Sequence, residues 1–273
     1  MEARLLGVAQ DGGFPQPGCR CSNCRNLGIF RSPAACLAIV DESNQRYWII
    51  DTPPQFGEAI QPLAGLELAG IFLTHGHVGH YTGLMFLGKE AMATRELPVW
   101  CSRQMRRLLE SNEPWASLIS GTHIAVQEIA TLETYRIAPG LQIAPVAVPH
   151  RGEFTDTFAY CVIGPKQSLF YCPDIDFWPI DNPSLHTLLH LNEHLLLDAT
   201  FFSPDELPGR DLKQIPHPFV TDAIDHLGPY AEKVTFIHMN HSNPILDPGS
   251  SASKIVREAG FQVGSVGQRF ALA

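Results

Sequence analysis

The segment Thr74–Gly83 (THGHVGHYTG) places three of the chain's 12 histidines within six residues. The apolar run GIFLT (70–74) ends where the histidines begin, and it predicts a short buried strand. Residues two apart in extended backbone project from the same side, so His75 and His77 can face one point. His80 follows at the start of a predicted helix and can fold back to that point. Because neutral imidazoles are usual ligands of zinc and similar divalent ions, the segment predicts a metal site.

Other ligand-type residues also stand where apolar runs stop. His150 ends APVAVPH, Asp174 ends SLFYCPD, and His238 ends KVTFIH. If these strands lie side by side, their ends form one rim, and the side chains converge there. Asp198 ends the run LLLD at the same rim, where it can buttress the site, carry a proton, or be a plain strand-end acid. Asp176 is the near rival of Asp174, which directly follows its strand.

Three of the seven cysteines, Cys19, Cys21 and Cys24, lie within the segment GCRCSNC. The total of seven cysteines is odd, and three of them are clustered, which does not fit a secreted disulfide framework. We therefore expect the protein to lie in a reducing cytoplasm, with the clustered thiolates as metal ligands. A structural zinc site with sulfur ligands is tetrahedral and needs a fourth ligand, for which His241 is the candidate. The alternative is reduced or redox-active thiols, although clustered exposed thiols oxidise easily.

Composition limits the classes of partner. The formal net charge of −9 argues against nucleic acid as the main partner, because backbone phosphates need a basic surface. No apolar stretch is long enough to span a membrane, and the N-terminus lacks the pattern of a signal peptide. Without repeats or an evident linker, residues 1–273 are predicted to form one cytoplasmic domain that binds a small-molecule substrate. The oligomeric state is left open.

The order of predicted elements is strands, helices, strands, helices, which favours an α/β fold with two sheets packed face to face. Predicted hairpins join AACLAIVD to RYWIID and TFAYCVIG to SLFYCPD. Helices are predicted over PQFGEAIQPLAG, RQMRRLLES and SSASKIVREAG, and helical spacing also runs from His80 through Met92. His123, His217 and His226 carry no pattern.

The histidine cluster, followed in the chain by His150, Asp174 and His238, resembles the metallo-β-lactamase superfamily. Asp51, in WIIDTPP, matches the early strand-end aspartate that buttresses the site in that superfamily. The segments GGFPQPGCRCSNCRN and FIHMNHSNPILD more narrowly resemble the pyrroloquinoline quinone biosynthesis protein B (PqqB) group. The three-cysteine motif closed by a histidine is similar to that of phosphodiesterases of the PhnP type.

The resemblance implies a four-layer αββα sandwich with a structural zinc and a one- or two-metal site on its rim. The first metal would be held by His75, His77 and His150, and the second by His80, Asp174 and His238. Asp174 would bridge the two ions. Zinc, manganese or iron could fill such sites, and a water on the metal would attack an electrophile. Asp174 and Asp198 are therefore the candidate catalytic acids.

Position 79 departs from the superfamily pattern, which has an aspartate immediately before the third clustered histidine. Gly79 cannot bind a metal or orient a water, and its presence removes one negative charge from the site. We therefore expect a second metal site that is weaker than the first, or one that fills only when substrate adds a ligand.

Three functions are consistent with these features. The first is a metal-dependent hydrolase of a small anionic or ester-like substrate, with phosphodiesters and esters as the candidate classes. The second, which follows from the PqqB resemblance, is an iron-dependent oxygenase or hydroxylase of cofactor biosynthesis. The third is a non-catalytic metal-binding or carrier protein whose site decayed at Gly79. The retained histidines argue against decay, because an idle site usually loses its ligands together.

Overall fold

Two mixed β-sheets of seven strands each dominate the part of the chain that the computed structural model describes, residues 1–25, 31–209, 211 and 214–273. Asn26, the last residue of the N-terminal motif, lies outside these ranges. The first sheet contains β1 (Glu2–Gly7), β2 (Cys36–Asp41), β3 (Arg46–Ile50), β4 (Glu67–Phe72), β5 (Leu97–Cys101) and β6 (Ile124–Glu128). The second contains β7 (Tyr135–Ala138), β8 (Leu141–Ala147), β9 (Phe158–Ile163), β10 (Ser168–Cys172), β11 (His194–Asp198), β12 (Val234–Ile237) and β13 (Gln262–Val263). The last strand, β14 (Arg269–Ala271), returns to pair with β1.

Each sheet has an antiparallel half and a parallel half. The spatial order is β14-β1-β2-β3-β4-β5-β6 in the first sheet and β13-β12-β11-β10-β9-β8-β7 in the second. Pairing is parallel from β3 to β6 and again from β10 to β13. Parallel neighbours bring their carboxyl ends to one edge, which is where α/β sheets usually build their sites. The predicted hairpins are confirmed as β2–β3 and β9–β10.

The two faces of β2 show why the sheets stack. Leu37 and Ile39 belong to the core that the first sheet shares with the second, whereas Cys36, Ala38 and Val40 belong to the core beneath the outer helices. Successive side chains of a strand alternate between faces. Because both faces are covered, every residue of β2 is buried, and the strand is a nearly continuous apolar run.

Helices cover the outer faces of both sheets. They are α1 (Ser22–Arg25), α2 (Phe56–Ile60), α3 (Val78–Tyr81), α4 (Arg103–Ser111), α5 (Trp115–Ser120), α6 (Pro183–Leu191), α7 (Val220–Leu227) and α8 (Ser251–Glu258). The apolar residues of α2, α4 and α5 pack on the first sheet, and those of α6, α7 and α8 join the core of the second. The predicted αββα sandwich is confirmed. Across the described ranges, none of the helices has the length and apolar character needed to cross a membrane.

The helices predicted over RQMRRLLES and SSASKIVREAG form with serine caps. Ser102 Oγ accepts a hydrogen bond from the Met105 N–H, and Ser250 Oγ accepts one from the Ser253 N–H. Each cap satisfies a backbone donor that the first turn of a helix leaves without an intrahelical partner. These two helices could therefore be located from the sequence alone.

The continuous helix predicted from His80 to Met92 is wrong. The α-helix α3 stops at Tyr81, and a 3-10 segment, Thr82–Leu87, follows it. The Gly83 N–H donates to the Thr52 carbonyl at 2.9 Å, which ties this turn to the loop after β3. That tertiary bond competes with α-helical pairing, and it keeps the residues after His80 close to the rim.

Candidate metal centre

The predicted ligands converge at one edge of the sandwich because they follow the carboxyl ends of β4 in the first sheet and of β8, β10 and β12 in the second. His75, His77 and His80 follow β4, and His150 follows β8, while Asp174 and His238 come after β10 and β12. His238 has a positive φ of 60°, a conformation that is uncommon for residues with a side chain. Such backbone strain persists only when the surrounding structure enforces it, and it is frequent at functional sites.

Asp174 lies at the centre of the converging side chains, and 2% of its side chain is exposed. Its carboxylate oxygens lie 3.4 Å from Nε2 of His75, 3.2 Å from Nε2 of His80, 3.3 Å from Nε2 of His150 and 3.3 Å from Nε2 of His238. One carboxylate thus faces histidines of both predicted metal sites. This is the geometry expected of a bridging ligand.

The first donor group combines His75, His77, His150 and Asp174, whose ligand atoms all lie within 4.8 Å of one another. Nδ1 of His77 is 2.8 Å from Nε2 of His75 and 3.2 Å from Nε2 of His150. Burial lowers the pKa of His75 well below its usual value and lowers the pKa of His77 to about 4. Neutral imidazoles are the form that binds metals.

The second predicted donor group consists of His80, Asp174 and His238. Its buried polar atoms test whether the group fits a metal. Nε2 of His80, Nε2 of His238 and Oδ1 of Asp174 are buried and make no hydrogen bond with any of the described residues. Each such atom costs about 1–3 kcal/mol when nothing satisfies it. Nε2 of His80 and Nε2 of His238 both face Oδ2 of Asp174, so a divalent cation held there would satisfy the two nitrogens, and Oδ1 would be left to the ion of the first donor group. The residues therefore fit the metal that their type and order predicted.

Asp51 holds the ring of His80 from behind, in the position that the resemblance to the superfamily implied for a buttress. Nδ1 of His80 lies 2.7 Å from Oδ2 of Asp51, whose other oxygen accepts from the Thr74 N–H at 2.8 Å. Burial works to lower the pKa of His80, but the carboxylates of Asp51 and Asp174 outweigh it and raise that pKa well above its usual value. These carboxylates therefore favour a positive charge at this position, whether carried by a proton or by a metal.

Asp176 orients a predicted ligand and does not join the donor group. Its Oδ1 lies 2.9 Å from Nδ1 of His150 and accepts the Arg151 N–H at 3.2 Å. The bond fixes the ring so that Nε2 of His150 faces Asp174. A carboxylate behind a metal-binding histidine typically sets both the tautomer and the ring orientation.

Asp198 contacts a histidine that the sequence did not reveal. Its Oδ2 lies 2.8 Å from Nδ1 of His217, and it also accepts the Ile175 N–H at 3.0 Å. Nδ1 of His217 is in turn 3.5 Å from Oδ1 of Asp174. The one local signal at position 217 is the pair of flanking prolines, which restrict the backbone but do not indicate a site.

A second acid that the sequence did not reveal, Asp11, lies beside Gly79. The Gly79 N–H donates to Oδ1 of Asp11 at 3.2 Å, and the same oxygen is 3.5 Å from Nε2 of His80. The ligand atoms of Asp11, His80 and His238 lie within 4.8 Å of one another. The segment QDGG around Asp11 reads as an ordinary turn, so only the tertiary structure brings this carboxylate to the histidines.

The three clustered cysteines and His241 meet in a separate donor group. Nδ1 of His241 is 3.5 Å from Sγ of Cys19 and 3.5 Å from Sγ of Cys21, and Sγ of Cys24 is within 4.8 Å of the other ligand atoms. Four donors of this type match the tetrahedral set of a structural zinc site. His241 stands three residues after His238, so the two donor groups share one short loop.

Comparison with known proteins agrees with this geometry. Residues 46–261 match the beta-lactamase superfamily domain. The chain belongs to this superfamily. It is 26% identical to coenzyme PQQ synthesis protein B of Ruegeria pomeroyi, with both chains covered completely. It is 27% identical to the protein of that name from Methylococcus capsulatus, with 96% of this chain and 97% of the relative covered.

Solved structures share the fold at lower identity. Zn(2+)-bound PqqB from Methylobacterium extorquens superposes with a TM-score of 0.86 at 21% identity, and all of both chains is covered. A diphosphatase of the PhnP family superposes with a TM-score of 0.74 at 20% identity, covering 99% of this chain and 97% of that one. The predicted resemblance to PqqB and to PhnP-type proteins is confirmed at the level of fold and superfamily.

Proposed function

We propose that the chain is a metal-dependent hydrolase of a small anionic ester, with phosphodiesters and related phosphate esters as the substrate class. The observation that carries the proposal is the convergence of two histidine-rich donor groups on the buried carboxylate of Asp174. Divalent cations held there would supply an ionised water near neutral pH and would stabilise developing negative charge. The cytoplasmic location and the absence of nucleic acid and membrane partners remain predictions from the sequence.

The residues of the site would have two roles, metal binding and proton donation. His75, His77 and His150 would hold one ion, His80 and His238 the other, and Asp174 would bridge them. Asp198 contacts Nδ1 of His217, and Nε2 of that ring, which is buried and makes no hydrogen bond within the described ranges, would be available to reacting groups. Asp198 raises the pKa of His217 to about 9 although burial opposes it, so the imidazolium can give a proton to a leaving oxygen.

Arg151 supports an anionic substrate. It directly follows His150, and its positive charge partly offsets the carboxylates that raise the pKa of His217. Its Nε is buried without a hydrogen-bond partner among the residues that the structure describes, and its Nη1 is 3.6 Å from a carboxylate oxygen of Glu153. A guanidinium on the residue next to a predicted metal ligand suits a phosphate or carboxylate group of a substrate. Phe154, 63% exposed with its ring 6.2 Å from that of His77, offers an apolar surface beside them.

A PqqB-like role is the second candidate, and the full-length similarity to coenzyme PQQ synthesis protein B favours it. In that case iron would occupy the histidine sites, and the reaction would consume oxygen. The diphosphatase with the same fold supports the hydrolytic reading instead. Both candidates use the same donor groups, so the choice depends on the metal and the co-substrate.

Metal analysis and paired assays separate the candidates. Protein purified anaerobically would be assayed for its metal content and then for cleavage of bis(p-nitrophenyl) phosphate and of a nucleoside diphosphate ester with Zn²⁺ or Mn²⁺. Oxygen uptake with Fe²⁺ would be measured in parallel. We expect ester cleavage that D174N abolishes and that E58Q, a change at an exposed acid of α2, leaves intact. Oxygen uptake without ester cleavage would favour the oxygenase over the hydrolase. Bound metal with no activity in any of the assays would favour a metal carrier.

A further inference from the structure

The loop after β1 fills the space beside Gly79. A Cβ atom placed on Gly79 would lie 2.4 Å from Oδ1 of Asp11 and 2.5 Å from Cα of Asp11. Both distances are far below van der Waals contact, so a side chain at position 79 and the present Asp11 loop exclude each other. Glycine at this position is therefore required by the close approach of another chain segment.

The carboxylate in that space is directed toward the second donor group. Oδ1 of Asp11 accepts the Gly79 N–H and lies 3.5 Å from Nε2 of His80. Nε2 of His80 and Nε2 of His238 are fully buried, and neither has a hydrogen-bond partner in the part of the chain that the structure describes. One ligand atom each of Asp11, His80 and His238 thus lies within 4.8 Å of the other two.

The loop is fixed next to His238 by backbone bonds. The Gln10 N–H donates to the Met239 carbonyl at 2.9 Å, and the Met239 N–H donates to the Val8 carbonyl at 2.9 Å. The Gly13 N–H closes the turn on the Gln10 carbonyl at 2.7 Å. Asp11 is therefore held within this turn beside the residue that follows His238, and its side chain is only 24% exposed. This fixed position suits a ligand better than a mobile surface acid would.

We propose that Asp11 supplies the carboxylate ligand of the second metal site, in place of the aspartate that the superfamily pattern has at position 79. The proposal rests on the proposed function only in that His80 and His238 bind a metal. In this chain the carboxylate comes from the loop after β1, and it brings the negative charge that the site needs. A second site with affinity comparable to the first then replaces the weak site expected from Gly79 alone.

Metal binding tests the proposal without any assay of activity. Mn²⁺ is the probe, because it prefers oxygen and nitrogen donors to the thiolates of the cysteine group. Isothermal titration and equilibrium dialysis of the full chain would give the number of ions bound and their dissociation constants. D11N keeps an oxygen that can accept from Gly79 but removes the charge, D11E keeps a carboxylate, and E58Q removes an exposed charge elsewhere.

We expect the unmodified chain and E58Q to bind two Mn²⁺ ions per chain. D11N is expected to bind the second ion at least tenfold more weakly, with the first unchanged, and D11E to recover part of the loss. Thermal melts would verify that each variant is folded. The proposal is overturned if D11N binds both ions as tightly as the unmodified chain, if E58Q weakens binding equally, or if the unmodified chain binds a single ion. If the chain binds two ions in a way that depends on Asp11 but does not cleave esters, Asp11 is a metal ligand and the proposed hydrolase function is wrong.

Discussion

Nδ1 of His217 lies 2.8 Å from Oδ2 of Asp198, and both side chains are almost completely buried. Burial alone would lower the pKa of the imidazole, but the Asp198 carboxylate outweighs it and raises that pKa to about 9. A histidine whose folded pKa exceeds its unfolded value of about 6.5 adds stability that is fully present below pH 6.5. That stability is lost as the pH rises through 9.

Replacing Asp198 by Asn should remove this pH dependence. A rise from 6.5 to about 9 corresponds to about 3 kcal/mol of the free energy of unfolding in the metal-free protein. We therefore expect the difference in melting temperature between the unmodified chain and D198N to be large at pH 6 and to shrink by pH 10. Melting curves across this range measure it. A difference that stays constant with pH would show that the pair is not ionic.

His217→Asn separates a proton donor from a metal ligand. If His217 gives a proton to the leaving oxygen, we expect kcat for ester cleavage to fall by roughly 10²-fold, while the number of bound ions stays unchanged. The loss should be smaller for substrates with good leaving groups, which need less protonation. If the ion count falls with the rate, His217 is a ligand, and the assignment as proton donor fails.

Asp176→Asn tests the support behind His150. Loss of the carboxylate that holds Nδ1 of His150 should weaken the first metal site by roughly ten- to a hundredfold, since partners of metal-binding histidines have effects of this size. The matched control is D181N, which removes an exposed carboxylate from the same loop. Metal titration measures both variants, and equal behaviour of the two would contradict the role of Asp176.

Local pattern and chain order are sufficient to predict much of this molecule. The apolar runs that end in His75, Asp174 and His238 predict strands. Parallel pairing aligns the ends of β10 and β12 within the second sheet, and the stacking of the two sheets places the end of β4 beside them. The cap at Ser250 predicts the start of α8 for an equally local reason. Features that depend on bonds within a few residues, or on burial of both strand faces, can be read from the sequence.

His217 and Asp11 could not be predicted in this way. Each lies in an irregular loop, and each takes its place through contacts distant in sequence, with Asp198 in one case and with Gly79 in the other. The expected helix after His80 was wrong for the same reason, because Gly83 bonds to a carbonyl of another loop. Periodicity carries no information about such contacts.

Exchanging the residues at positions 11 and 79 tests whether the two exclude each other. G79D alone would force its Cβ against the Asp11 backbone and carboxylate, so we expect a melting temperature several degrees lower. In D11G/G79D the side-chain overlap is gone and the glycine introduced at position 11 lets the loop withdraw, so part of the stability should return. Differential scanning calorimetry of both variants checks this. A G79D protein as stable as the unmodified chain would mean that the loop yields freely.

Removal of metal from the cysteine group should loosen the loop that carries Asp11. The group joins residues 19–24 to His241, and Asn23 Nδ2 also donates to the His241 carbonyl at 3.0 Å. An ion whose free concentration is about 1,000 times its dissociation constant adds about 4 kcal/mol to folding stability. We expect a strong chelator to lower the melting temperature of the unmodified chain markedly. C21S should start low and lose less, because only the ions of the histidine sites remain to be removed. Because Gln10 and Met239 connect the same two segments, the C21S protein should also bind Mn²⁺ more weakly at the site near His238. If C21S binds both Mn²⁺ ions normally, the cysteine group is mechanically independent of the active site.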